Sequence, residues 1–188
     1  MQKIFSSILI VLIASVFTAF KLYTTTEEDA KKEEPSPVKW MTFEEAIEKS
    51  KTEKRKIFID VYTDWCGWCK VMDKNTFSDA EVANVLNNHF YPVKFNGEQK
   101  EDVIFNGVTF KFVESGRNGY HQLAAALLNN QLSYPTVVFL DEEFRMIQPL
   151  PGYKQKEEFH KIAKFIGEDH FRSVSWQDYQ TKYKSPYL

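Results

Sequence analysis

The stretch Thr63-Asp64-Trp65-Cys66-Gly67-Trp68-Cys69-Lys70 carries both cysteines of this 188-residue chain, two residues apart, directly after the apolar run Lys56-Ile57-Phe58-Ile59-Asp60-Val61-Tyr62. A run so rich in β-branched and aromatic residues predicts a buried strand. The residues after it can wind into a helix whose first turn carries Cys66. Unpaired backbone N–H groups and the helix dipole favour negative charge there. The thiolate is the nucleophilic form of cysteine, and Cys-X-X-Cys motifs at helix N-termini favour it. Strand followed by cysteine-bearing helix therefore points to thiol–disulfide exchange.

Other uses of such a pair fit less well. A closed zinc site takes four Cys or His ligands, usually from a second close pair. The remaining candidates are His89, His121, His160 and His170, and no two lie within five residues. No metal site is expected. Attachment of c-type haem needs a histidine directly after the second cysteine, where Lys70 stands. A structural disulfide across a two-residue gap closes almost no loop and gains little. Reactivity explains the pair better.

The chain resembles the thioredoxin superfamily, and the likeness extends beyond the cysteines. Asp60 lies six residues before Cys66, where that family keeps a buried acid, and Trp65 directly precedes the nucleophile. Tyr91-Pro92-Val93-Lys94-Phe95-Asn96 is similar to the family's central strand, whose lysine pairs with the acid. Ser133-Tyr134-Pro135-Thr136-Val137-Val138-Phe139-Leu140 is similar to the strand opened by a cis-proline that faces the cysteines. Gly152 stands where the family has a glycine after its last strand. These matches keep family order from about Val38 to Gly167. The resemblance implies an α/β thioredoxin-like fold, a central mixed β-sheet flanked by helices on both faces. It implies Cys66, Cys69, Asp60 and Pro135 as catalytic residues, Lys94 in support, and Trp65, Trp68 and Tyr134 at the substrate. The redox pair itself takes the place of a cofactor.

Each residue also has its own physical reading. Cys66 attacks a substrate disulfide, and Cys69, three residues on and on the same helix face, resolves the mixed disulfide. A buried Asp60 has its carboxyl pKa raised by desolvation and can exchange a proton with Cys69; the alternative is a strand-end aspartate open to solvent. Lys94 either offsets that buried charge or is a solvated strand lysine. Pro135 opens its strand, where no ladder donor is needed. The backbone of Tyr134 is then free to pair with an extended peptide. Trp65, Trp68 and Tyr134 rim the site or pack inward, with Trp68 expected to be exposed.

Two features depart from thioredoxin. The dipeptide between the cysteines is Gly67-Trp68 where thioredoxin has Gly-Pro, and it bears on the redox potential, since about 30 mV corresponds to about 1.4 kcal/mol for two electrons. The segment Gly97 to Gly119, before the helix–strand unit of Pro135, is longer than the family's usual link. Its Val108-Thr109-Phe110-Lys111-Phe112-Val113 predicts an added strand or hairpin. Such an insertion is either a partner surface or a decorated loop.

Met1-Gln2-Lys3 and the 17-residue apolar stretch Ile4 to Phe20 read as an export signal over 1–23. Seventeen residues span roughly 25 Å, short of a hydrocarbon core of about 30 Å, so cleavage is expected over a permanent anchor. A poorly formed small-x-small site around Ala19 keeps the anchor as the alternative, and membrane contact is then confined to 4–20. The absence of a cysteine after the run argues against lipid modification. The polar, proline-ended segment 24–37 reads as a disordered linker. A thioredoxin-like domain is expected over 38–170 and a helical tail over 171–188. Without Lys3 and Lys21 the chain has 22 basic against 26 acidic residues. No basic stripe is present, and nucleic acid is not an expected partner.

Helices are predicted from the Thr42 capping box to Ser50, after a second box opened by Ser78, near Tyr120–Asn130, over Lys156–Ile166, and after Ser175. Strands are predicted at Lys56–Tyr62, Phe90–Asn96, Thr136–Leu140 and Phe144–Gln148, the last two joined as a hairpin. The expected protein is an exported disulfide oxidoreductase, periplasmic or anchored facing the extracytoplasmic side. It acts on protein thiols and disulfides as a reductase fed by a membrane-linked or thioredoxin-type electron donor. An oxidase or isomerase is the alternative of the same class. The alternative of another class is a non-catalytic thioredoxin-like binding or chaperone module with a redox-sensitive latch.

Overall fold

In the computed structural model, residues 37–187 are described. The expected signal or anchor, and the linker apart from Pro37, lie outside them. Thr42 opens helix α1 (Phe43–Ser50) with a reciprocal box: its hydroxyl accepts the Glu45 N–H at 3.1 Å, and the Glu45 carboxylate accepts the Thr42 N–H at 2.8 Å. Two of the helix's orphan donors are thereby satisfied. Strand β1 (Lys56–Tyr62) follows, then α2 (Gly67–Met72), a π-helical turn (Asp73–Phe77), α3 (Ala80–His89) and β2 (Phe90–Asn96). Four short strands come next: β3 (Val103–Phe105), β4 (Val108–Phe110), β5 (Phe112–Val113) and β6 (Tyr120–His121). The chain continues through α4 (Gln122–Leu127), β7 (Thr136–Leu140), β8 (Met146–Pro151), α5 (Lys156–Gly167), a 3₁₀ turn (His170–Arg172) and α6 (Trp176–Lys182).

The central sheet has the order β2-β1-β7-β8, with β1 and β2 parallel and the other pairs antiparallel. It is a mixed sheet with helices on both faces, as expected. Strand side chains alternate between faces. Ile57, Ile59 and Val61 join Phe43 of α1 and Leu123 and Leu127 of α4 in one core. Phe58, on the opposite face, joins Met72 of α2, Val82 and Leu86 of α3, and Phe159 and Ala163 of α5 in the other. Phe58 is fully buried, with the rings of Trp40, Phe77, Phe90, Phe139 and Phe159 within 6.5 Å. Burying a side chain of that size contributes about 1.5–3 kcal/mol. Asp60 follows Phe58 on this same face, beneath α2.

The structure moves several expected boundaries. Asp79, not Ser78, caps α3: its carboxylate accepts the N–H groups of Glu81 and Val82, while the Ser78 hydroxyl turns back to the Lys74 carbonyl. Strand β8 begins at Met146 rather than Phe144, because Phe144 adopts a left-handed φ of 62° in the turn built on Asp141. Helix α4 begins at Gln122, since Tyr120 and His121 pair with Val113 and Phe112. The inserted segment holds two separate ladders rather than one strand over 108–113. Asn106-Gly107, both with positive φ, closes β3 on β4 as a two-residue hairpin. Past Lys111 the chain leaves that ladder for β6.

Candidate functional site

Cys66 stands one residue before the α2 helix proper, as its N-cap, with φ −72° and ψ 100°. Its sulfur accepts the Cys69 N–H at 3.1 Å. A disulfide joins Cys66 to Cys69, with Cα atoms 5.3 Å apart. Both residues are nearly buried, 4% and 3% exposed. The antiparallel register sets Thr136 opposite Val61, which brings Pro135 level with the end of β1 where the cysteine turn begins. The Tyr134–Pro135 bond is cis. Among the described residues, no other backbone group hydrogen-bonds the backbone of Tyr134.

Two aromatic pairs flank the disulfide segment. Trp65 meets the Tyr134 ring edge-on at 5.9 Å, and Trp68 packs on Tyr153 at 5.5 Å. Both tryptophans point outward, 59% and 62% exposed, so the inward alternative does not hold for either. Burial, with help from the Glu98 charge, pushes the Tyr134 hydroxyl up to about 12.

Asp60 is 1% exposed, and the solvent-open alternative for it is gone. It lies in register with Lys94, whose ammonium donates to Oδ2 at 2.6 Å. Oδ1 has no hydrogen-bond partner among the described residues. Burial raises the Asp60 pKa from 3.8 to about 6, outweighing the attraction of Lys94. Lys94 is no solvated strand lysine. Burial alone would depress its pKa, but Asp60 and Asp73 overcome that and hold it above the ordinary value. Its ammonium also donates to Asp73 and lies about 5–6 Å from the ring centroids of Trp40, Tyr62 and Phe77.

Asp73 escaped the sequence reading. It lies four residues after Cys69, one helical turn on, and that spacing was the available signal. Thr63 was missed too: it is 1% exposed, its carbonyl accepts the Cys66 N–H at 3.1 Å, and its hydroxyl has no hydrogen-bond partner among the described residues. Glu98, which accepts the Trp65 indole N–H at 2.9 Å, comes from the inserted segment and had no local signal. Three of the four histidines have partners that position them. His121 caps α4 through Nδ1 and donates from Nε2 to the Glu101 carbonyl; His160 pairs with Tyr183, and His170 with Glu168. Among the described residues no three His, Cys, Asp or Glu side chains are grouped to hold a metal ion.

A family model described as "Protein of unknown function, DUF255" (Thioredox_DsbH) matches residues 21–167. An uncharacterized protein of Caenorhabditis elegans is 33% identical over 86 residues, 45% of this chain and 12% of that protein. The thiol:disulfide interchange protein DsbD of Colwellia psychrerythraea is 38% identical over 45 residues, 24% of this chain and 7% of that protein. The chain thus covers only a small part of these relatives' length. Among solved structures, a DsbH oxidoreductase superposes with a TM-score of 0.52 at 19% identity, covering 75% of this chain and 94% of that one. A thioredoxin from Thermus thermophilus superposes at 0.52 and 19%, covering 70% and 88%. These likenesses show the fold. The chain belongs to the DUF255 family, within the thioredoxin superfamily.

Proposed function

We propose that this member of the DUF255 family is a thiol–disulfide oxidoreductase that reduces disulfides of other proteins on the extracytoplasmic side of a membrane. The Cys66–Cys69 disulfide carries the reading, together with the buried Asp60 carboxylate, which Lys94 links to Asp73 one helical turn after Cys69 and which has one oxygen unpartnered among the described residues. The structure corresponds to the oxidised end of the cycle. In the reduced form, the Cys66 thiolate attacks a substrate disulfide, a mixed disulfide forms, and one substrate sulfur leaves as a thiolate that takes up a proton. Cys69 then gives its proton to the Asp60 carboxylate and attacks the Cys66 sulfur. That step re-forms the Cys66–Cys69 bond and releases the second substrate thiolate. Two electrons pass to the substrate, and a dithiol donor must return them.

The Cys69 N–H held against the Cys66 sulfur favours the thiolate form. Tyr134 offers its backbone to an extended substrate in the manner of strand addition. The part-likeness to a thiol:disulfide interchange protein supports a partner class of protein dithiols and disulfides. A second reading has one observation in its favour: a disulfide this hidden suits a binding module whose cysteines act as a latch. Trapping separates the two. Cys69→Ala is expected to hold substrates as mixed disulfides on Cys66, and insulin reduction is expected to vanish in Cys66→Ser. An empty trap, or reduction that survives Cys66→Ser, would remove the proposed nucleophile.

A further inference from the structure

We infer that the inserted segment forms part of the wall that reads a polypeptide substrate, with Glu98 and Asn118 as positioning residues for Trp65. The inference rests on the exchange reaction proposed above and on its protein substrates, and assigns the inserted segment a share in choosing an extended polypeptide over a small disulfide.

Trp65 is 59% exposed, yet it is tied in place. Its indole N–H donates to Glu98 Oε1 at 2.9 Å, and its ring stands at 86° to that of Tyr134. Glu98 is itself held twice. Its N–H donates to Asn96 Oδ1 at 2.9 Å, and its Oε1 also accepts from the side-chain amide of Asn118 at 3.3 Å. Asn118 comes from the far end of the insertion, just before the chain returns. The two ends close on one residue: the Gly97 N–H donates to the Tyr62 carbonyl at 2.8 Å, and the Gly97 carbonyl accepts the His121 N–H at 2.7 Å. Gly97 also supports Tyr134, because a Cβ placed there would come within 2.5 Å of the Tyr134 hydroxyl. The insertion thus leaves and returns at the site and grips both members of one aromatic pair.

A large exposed ring is normally free to change rotamer, and binding has to order it. Holding it beforehand lowers that cost, and rigid aromatic side chains are the usual anchors of protein recognition. The pair Trp68 and Tyr153 lines the other side, and the unpaired backbone of Tyr134 lies at the first wall. A polypeptide engages the wall and the backbone together. A small disulfide needs only to reach the sulfur.

The test uses the protein kept reduced by dithiothreitol, with the uncatalysed rate subtracted, and two substrates, insulin and bis(2-hydroxyethyl) disulfide, and reads kcat and KM separately. In Glu98→Ala and in Asn118→Ala the ratio of kcat/KM for insulin to that for the small disulfide is expected to fall about three- to tenfold, through KM for insulin. Glu98→Gln keeps an acceptor oxygen and restores the ratio. In a Trp65→Phe background, Glu98→Ala changes nothing further, as a shared path requires. Where Glu98→Ala fails to fold, Asn118→Ala, which removes only the outer tie, decides. An unchanged ratio in a folded variant, an equal loss with both substrates, or an effect that persists without Trp65 would overturn the inference while exchange itself stands. Wild-type protein that exchanges with neither substrate would instead overturn the reaction, and this inference with it.

Discussion

Two aspartates, Asp60 and Asp141, are almost equally hidden, 1% and 5% exposed, yet their surroundings push them in opposite directions. Asp141 closes the turn after β7. Burial pushes its pKa up, but the N–H groups of Arg145 and Glu143, at 2.9 and 3.0 Å, and the Arg145 guanidinium at 2.7 Å outweigh burial and leave it lowered. Among the described residues Asp60 has one donor, Lys94, and an oxygen with none, so burial prevails and its pKa rises to about 6. Fully satisfied, a buried carboxylate is a fixed piece of the fold. Half satisfied, it keeps a raised pKa, which is what the proton exchange proposed for it requires.

The largest expected effect on this contrast is kinetic. Asp60→Asn keeps the shape and removes the base, and is expected to slow insulin reduction at pH 7 by about a hundredfold. Asp141→Asn is expected to leave the rate within about twofold, since its carboxylate meets only the β7–β8 turn. Equal losses in both would erase the distinction.

Stability provides the next test, with opposite signs at the two residues. The Asp60 carboxyl keeps its proton to a higher pH folded than unfolded, so the native state binds more protons between about pH 4 and 6. Unfolding free energy therefore falls as pH rises through that window, by on the order of 2–3 kcal/mol, and the deficit persists above it. Denaturant melts of wild type and Asp60→Asn across pH are expected to diverge over that range, with the variant the more stable at pH 7. Asp141, lowered in the fold, contributes stability above the unfolded carboxyl range that is lost as pH falls through its folded pKa. Asp141→Ala strands its donors and is expected to cost about 1–3 kcal/mol at pH 7.

Lys94→Met gives the smallest and most local effect. It removes the one donor to Asp60 among the described residues, and the carboxyl midpoint is expected to climb above its wild-type position near 6 by carboxyl-carbon NMR. A fall would mean that Lys94 does not stabilise the charged form.

The sequence disclosed the parts of this arrangement that local chemistry dictates. Strands β1, β2 and β7 end where their apolar runs end, and the Thr42 box is self-contained within four residues. The pairing of Asp60 with Lys94, and the cis bond before Pro135, came from family resemblance rather than from propensity. What stayed hidden depends on the closed fold. Asp73 reaches Lys94 only because α2 runs on into a π-helical turn, and Glu98 reaches Trp65 across 33 positions of sequence. The Asn106-Gly107 turn was readable from its residues alone, but the alternation over 108–113 masked the break at Lys111.

The most direct test of a half-paired buried acid is a carboxyl-carbon titration of the oxidised protein that follows Asp60 and Asp141 in one series of spectra. Asp60 is expected to titrate near 6 and Asp141 below 3.8. If the two resonances moved together in the ordinary carboxylate range, Asp60 would be no more than another satisfied aspartate, and its part in the exchange would be contradicted.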